Sequence, residues 1–411
     1  MARDAEFPKA VTDLAAERAG HKCSVPTCYK GTIGPGATGN KSAQKGTACH
    51  IYSASSGGPR GTGGLSKEER QSIENAIWCC ADHGRLIDTN KGDRYPAELL
   101  KQWKRLHEAR VDREVSGLKT HLGWVHRLEI INSILFRPSV ELQFSKATFI
   151  YGDGAVGKSS ICEWLAGISL PRALMRWRKY DHDIELEYFS PDPQTILLSM
   201  NEKGVHRSLN GKPLLEGPAD LRVIYLPGDY DQKFRRDLET DDLNWLAKIF
   251  SSDPETIKNL YADIRINGHH FCRYMEFREE HWEENEEEGE SARDGWYLYV
   301  ATDRDPSAKL PLESLATSEQ IEVMVQLATA LARVQALHTP TLLVLDAGSW
   351  NWCDELFDEF APYLAEQPYQ VVLARAVRPT HFSNKEWVEW SAAEVKRGKG
   401  RGNNTIVPAF R

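Results

Sequence analysis

Four short stretches of the chain are almost wholly apolar. They are Ala147-Thr148-Phe149-Ile150-Tyr151, Val223-Ile224-Tyr225-Leu226, Thr341-Leu342-Leu343-Val344-Leu345 and Val371-Val372-Leu373-Ala374. Runs of this length predict strands covered on both faces, since a strand with one wet face would alternate. Residues 124–131, 140–144, 183–189 and 195–200 do alternate, and predict strands with one wet face. Asn210-Gly211 marks a tight turn beyond the last of these. Helical spacing appears elsewhere. Leu99, Leu100, Trp103 and Leu106 fall on one face of residues 95–106, and residues 160–166 and 321–336 predict further helices. Shorter helices are expected at 13–19, ended by Gly20, and at 66–73. Residues 246–310 read as helical without sustained heptads, which predicts a short helical insertion over about 235–295. The acidic run at 279–288 reads as a solvated loop, with a segment that mimics or repels nucleic acid as the alternative.

One apolar run leads directly into a loop with its own chemistry. Gly152-Asp153-Gly154-Ala155-Val156-Gly157-Lys158-Ser159 fits G-x-x-x-x-G-K-[ST]. Glycines let backbone N–H groups turn inward around a phosphate, and the following helix aims its positive end at the same anion. Gly152, Gly154, Gly157, Lys158, Ser159 and Ser160 are the candidate contacts to a bound nucleoside triphosphate. Lys158 would reach the β- and γ-phosphates, and the Ser159 hydroxyl would ligate Mg²⁺. Asp346 closes another apolar run and is the candidate carboxylate for the Mg²⁺ shell. The residue after it is Ala347, so a water-activating glutamate is absent from that place; Asp354 and Glu355 are further acids downstream.

Length and charge narrow the picture. At 411 residues, two or three domains fit, and 41% hydrophobic content supports packed cores. No apolar run approaches the roughly 18–20 residues of a membrane span, and the first residues lack the apolar core of a signal peptide. A cytoplasmic protein without membrane contact is the expectation. The net charge of −8 is unevenly spread. Residues 1–120 hold 19 Lys and Arg against 14 Asp and Glu, and the remainder holds 32 against 45. Contact with nucleic acid would therefore begin at the N-terminal end.

Five of the eight cysteines lie between Cys23 and Cys80. In a cytosolic protein, clustering of this kind points to metal before disulfides. Cys23 and Cys28 form one close pair, and Cys80 and His83 a second. Two such pairs far apart in sequence suit a tetrahedral zinc ion that staples a fragment with little apolar content. Buried, unligated cysteines are the alternative.

Residues 18–110 resemble the HNH endonucleases, the ββα-metal nucleases. The order of parts matches: the first zinc pair, His50-Ile51, the loop at Gly58-Pro59-Arg60, Asn75, the second zinc pair, Ile87-Asp88, then Leu100 to Lys104. The resemblance implies that His50 is the general base activating water and that Asn75 holds the His50 loop or ring. It also implies a catalytic divalent ion, Mg²⁺ or Mn²⁺, beside His50, with Asp88 as its further ligand. Two positions depart from the pattern. Gly84 stands where the final histidine is usual, and Cys49 where an acidic residue often precedes the first histidine. A zinc-bound DNA-binding module with a dead site is the alternative.

The remainder resembles ABC-type ATPases of the SMC/RecF class. Two alternating strands precede the phosphate loop, Gln232 lies where such ATPases place a metal-sensing glutamine, and Leu315-Ala316-Thr317-Ser318-Glu319-Gln320 resembles the signature sequence. By that likeness Ser318 would contact ATP bound to an opposite subunit, which implies a homodimer or higher homo-oligomer formed through this domain. The expected fold is an α+β HNH domain with structural zinc over residues 1–118, followed by an α/β ABC-type P-loop domain over 119–411. Together the parts resemble bacterial anti-phage systems such as Septu. They imply an endonuclease, cleaving DNA or another nucleic acid, that is controlled by ATP-Mg²⁺. The alternative is an SMC/RecF-like repair or restriction ATPase with a zinc-dependent DNA-binding module. The basic stretch at 396–402 could touch phosphates or form a solvated turn.

Overall fold

The computed structural model describes residues 5–26, 28, 30–116, 123–136, 140–152, 156–190, 192–234, 240–269, 272–282, 293–303, 305–348, 350, 354–376, 387–391 and 409–410. The chain forms two compact units, one built mainly from Met1–Gly123 and the other from most of the remainder. No helix among the described residues is long and apolar enough to cross a membrane.

The first unit is organised on a two-stranded antiparallel ribbon. Gly46–His50 pairs with Ala76–Cys80, with His50 opposite Ala76 and Gly46 opposite Cys80. The second strand is buried at every position and runs straight into the helix Ala81–Leu86. Between the two strands lie the short helical turns Lys67–Arg70 and Ile73–Asn75. The long helix Ala97–Val115 buries Leu100, Trp103 and Leu106 on the face its spacing predicts. The N-terminal helix Lys9–Arg18 buries Ala15 and Ala16 beside Trp78.

Among the described residues, two six-stranded sheets and a smaller three-stranded one make the second unit. In the first, Val125–Ser133 lies between Val140–Gln143 and His182–Phe189, antiparallel to both. Leu209 opposes Lys212 across the Asn210-Gly211 turn. The second sheet runs in the order Arg222–Leu226, Thr341–Ala347, Gln370–Arg375, Ala147–Tyr151, Trp387–Ser391 and Ala409–Phe410. Its first five strands are parallel. Period-two alternation explains why the central strands are apolar throughout. Phe149, Leu343, Leu345, Val371 and Leu373 enter one core, whereas Ile150, Leu342, Val344, Val372 and Ala374 enter another. The helix Thr317–Ala336 packs into the first of these cores through Ile321, Met324 and Leu331.

The segment expected to be helical is only half so. Helices Asp242–Phe250 and Pro254–Asn267 are followed by an antiparallel pair, Cys272–Trp282 with Arg293–Thr302. Met275, Leu298 and Val300 are buried there, with exposed Glu276 next to Met275. The dense charge on the wet face hides that alternation in the sequence. Residues 283–288 of the acidic run and the basic stretch at 396–402 lie outside the described residues.

Candidate functional site

The strand Ala147–Tyr151 ends at the phosphate-binding motif, and the helix Lys158–Ala166 begins there. Gly154 lies outside the described residues. Gly157 has φ +93°, and a Cβ on it would come 2.4 Å from Phe136 Cζ, so only glycine fits. Lys158 is buried, and its Nζ donates to the Gly152 carbonyl at 2.8 Å. Two strands away in the same sheet, Asp346 stands at the carboxyl end of its own strand. Ser159 hydrogen-bonds the Asp346 carboxylate, which burial pushes above its ordinary pKa. A cavity of about 670 Å³ opens here, lined by Gly157, Lys158, Ser159, Ser160 and Asp346 among others. The carboxyl ends of parallel strands are the usual place for a ligand in such a sheet. A cation, a hydroxyl, a carboxylate and a helix N-terminus on one cavity are the donor set that a magnesium–triphosphate complex needs.

The same cavity holds residues that carry no signal in the sequence. Arg176, Asp229 and Lys233 line it. Arg176 and Lys233 both pair with Glu163, at 2.5 and 2.9 Å, and Trp177 Nε1 donates to the same carboxylate at 2.9 Å. Glu163 lies one turn into the phosphate-loop helix and is only 1% exposed. Burial raises its pKa, against the pull of the two cations. Glu163, the Arg176-Trp177 pair and the Asp229–Lys233 segment lie apart in sequence, and only the fold assembles them. Gln232, by contrast, is exposed; Asp229 and Lys233 of that segment face the cavity instead. Ser318 is half-buried in the first turn of its helix and lies outside this cavity. There Glu319 Oε2 accepts from the Ala316 amide at 3.0 Å, so this stretch caps a helix start.

In the first unit, Cys23, Cys28, Cys80 and His83 converge, their donor atoms all within 4.8 Å of one another. Cys28 and Cys80 Sγ are 4.0 Å apart, and His83 Nδ1 lies 3.3 Å from Cys80 Sγ and 3.7 Å from Cys23 Sγ. Tetrahedral zinc with ordinary bond lengths has S–S edges of roughly 3.8 Å and S–N edges of roughly 3.6 Å. The four residues therefore fit a closed structural zinc site. The Cys28 hydrogen bond pushes the Cys23 thiol far below its ordinary pKa, and the same contact pushes Cys28 up.

His50 ends its strand beside a cavity of about 700 Å³, which Ser53, Ser55, Arg60, Arg85 and Asp88 also line. Asn75 is buried and braces the loop after His50. Its Oδ1 accepts from the Tyr52 amide at 2.8 Å, and its Nδ2 donates to the Tyr52 and Arg70 carbonyls, both at 2.9 Å. Arg60 donates to the carbonyls of His50, Ile51 and Ile87 and pairs with Asp88 Oδ1 at 2.6 Å. Asp88 therefore has one oxygen engaged by a guanidinium. The N-terminal segment covers His50. The Ala5 carbonyl lies 2.8 Å from His50 Nε2, and the Phe7 ring stacks on the imidazole at 3.7 Å and 8°.

No protein-family model matches the chain. No curated protein matches it either. Among solved structures it is similar to an Smc head domain with an extended coiled coil, bound to the C-terminal domain of ScpA and derived from Pyrococcus furiosus. That likeness has 12% identity over 70% of this chain and 96% of the other, with a TM-score of 0.46. The SMC head domain from Thermotoga maritima gives 14% identity, 70% and 98% coverage and a TM-score of 0.39. The recombination mediator RecF with ATP gives 11% identity, 65% and 96% coverage and a TM-score of 0.43. Likenesses at this level bear no weight for activity, and the site's own geometry has to carry it.

Proposed function

We propose that this chain is a nucleoside-triphosphate-binding protein whose zinc-held N-terminal module engages nucleic acid. The observation that carries the reading is the convergence of Lys158, Ser159 and Asp346 on one cavity at the end of a parallel sheet. Lys158 and the backbone amides of the loop hold phosphate oxygens, and Ser159 and Asp346 hold the magnesium shell. Titration with a fluorescent ATP analogue, with and without Mg²⁺, tests this. Saturable Mg²⁺-dependent binding that Lys158→Ala abolishes is the expected result, and equal binding by the variant overturns it. A homodimer with nucleotide at its interface belongs to the same reading, with Ser318 reaching the partner's nucleotide.

A second reading is favoured by the bracing of His50. A buried asparagine that fixes the loop after an imidazole is what a general base requires, because the base must sit within hydrogen-bond reach of the water it deprotonates. On this reading the module is a divalent-metal endonuclease controlled by ATP, acting on DNA in anti-phage defence. His50 takes the proton of the attacking water and Asp88 holds the divalent ion. Bound nucleotide can gate such a nuclease only by binding two states with different affinity. Incubation with plasmid, Mg²⁺ or Mn²⁺, and graded ATP separates the two readings. Cutting that His50→Ala abolishes while DNA binding persists selects the nuclease. DNA binding without cutting selects the binding module.

A further inference from the structure

Ala347 places a buried methyl group where the residue after Asp346 would supply a carboxylate to attacking water. We propose that Asp229 takes that role, orienting the water that attacks the terminal phosphate and accepting its proton. This rests on the nucleotide-binding reading above.

Strand register brings Asp229 to the right rim. Arg222–Leu226 and Thr341–Ala347 are parallel neighbours, with Leu226 opposite Leu345. Asp346 follows Leu345 by one residue and Asp229 follows Leu226 by three. Adjacent strands are about 4.8 Å apart, so both carboxylates rise from the same edge of the sheet. Both line the cavity that contains Lys158 and Ser159, and among the described residues lining it they are the two acids. Their surroundings divide the work. Asp346 is buried and hydrogen-bonded by Ser159, which commits it to the metal side. Asp229 has a side chain 42% exposed, open to the solvent from which water arrives and to which a proton must leave.

Two further features bear on this carboxylate. Lys233 Nζ holds Asp229 Oδ1 at 3.0 Å and is itself held by Glu163 at 2.9 Å. The buried Glu163 thus positions Asp229 through Lys233. On the strand that leads to Asp229, the Tyr225 hydroxyl is buried without a hydrogen-bond partner in the structure. Burial pushes that phenol far above its ordinary pKa, and Asp346, Glu163 and Asp229 add to the effect, so it stays an O–H donor amid these acids.

In the step itself, the water oxygen bonds to the γ-phosphorus and the bond from that phosphorus to the β–γ bridging oxygen breaks. One water proton passes to the Asp229 carboxylate and then to solvent. Nucleoside diphosphate and inorganic phosphate leave, with Lys158 holding charge on the phosphates.

The test uses the full chain with MgATP, reading phosphate release and nucleotide affinity separately. Asp229→Asn should lower kcat by about 100-fold, within the range for loss of general-base assistance. Its ATP affinity should stay within about threefold of the wild type, since the base acts on water rather than on bound phosphate. Retained binding also shows that the variant folds. Lys233→Met should lower kcat less, by about tenfold, as expected of a positioning residue. Wild-type hydrolysis in Asp229→Asn overturns the proposal. So does loss of binding together with rate, which would put Asp229 in the metal shell. A wild type that binds ATP but releases no phosphate overturns it while leaving the binding reading intact. A wild type that binds no ATP overturns both.

Discussion

Asn75→Ala probes the part of the first unit on which the His50 loop depends. The Asn75 side chain makes three hydrogen bonds to backbone: with the Tyr52 amide, the Tyr52 carbonyl and the Arg70 carbonyl. At about 1 kcal/mol net for each, the loss comes to about 3 kcal/mol. Asn75 is 3% exposed, so water cannot readily replace it. The effect is local before it is global, since the ribbon Gly46–His50 with Ala76–Cys80 keeps its own ladder. Hydrogen–deuterium exchange resolves the two. A 3 kcal/mol loss of local stability speeds exchange by about 150-fold, and the Tyr52 and Ser53 amides should show it. Amides of the helix Ala97–Val115 should change little. Asn75→Asp serves as the isosteric control. It keeps an acceptor for the Tyr52 amide but turns a buried carboxylate oxygen on the Tyr52 and Arg70 carbonyls, so its effect should equal or exceed that of Asn75→Ala. Unchanged exchange at 52–53 in Asn75→Ala would refute the view that this amide organises the loop.

The other predictions concern the metal, the phosphate loop and pH. Purified protein should carry about one zinc per chain, and Cys28→Ser or chelation should unfold the first unit, seen as lost protection in residues 20–110 with the second unit retained. A chain that keeps its fold in chelator contradicts this. Gly157→Ala forces a Cβ to within 2.4 Å of Phe136 at φ +93°, so ATP affinity should fall at least about tenfold, read by fluorescent-nucleotide titration. His107 is buried with Nε2 donating to the Ala19 carbonyl at 3.0 Å, and burial holds its pKa at about 4. The unfolded chain therefore takes up the proton first. Stability of the first unit should be full above about pH 6.5 and fall by about 3 kcal/mol as pH drops through about 4. Denaturant melts of His107→Gln should show a shallower acid loss, and an identical slope would reject the assignment.

What the sequence disclosed and what it hid differ by physical origin. The strands of the parallel sheet were legible because burial on both faces leaves no polar position, as at Leu342 to Leu345. The phosphate loop was legible because backbone geometry dictates glycine at fixed spacing, as Gly157 shows. The cluster of Cys23, Cys28, Cys80 and His83 was legible because each pair comes from one short loop. The hairpin Cys272–Trp282 with Arg293–Thr302 was not, because charged residues crowd its wet face and read as solvated helix or loop. Glu163, Arg176, Asp229 and Lys233 were not legible as a group either. Asp229 and Lys233 share one short segment, but Glu163 and Arg176 come from two others, so no local pattern joins the four.

The two departures from the nuclease pattern also join only in space. A Cβ placed on Gly84 would meet Thr47 Cγ2 at 2.8 Å and Cys49 Sγ at 3.0 Å. Read along the chain, Cys49 and Gly84 are separate substitutions, 35 positions apart. In the folded unit they touch, across the join of the strand Gly46–His50 and the helix Ala81–Leu86. A buried thiol fills the volume that a larger residue at 84 would need, and a histidine there would have to displace it. Restoring one residue alone should therefore strain the packing, because overfilling a tight site commonly costs about 1–3 kcal/mol. If the module has no nuclease activity, Gly84→His alone should destabilise it without creating any. The double change Cys49→Ala with Gly84→His should recover part of the stability, because it removes the sulfur that the new side chain would meet. Additive losses in that double-mutant cycle would show that the contact between the two positions carries no coupling.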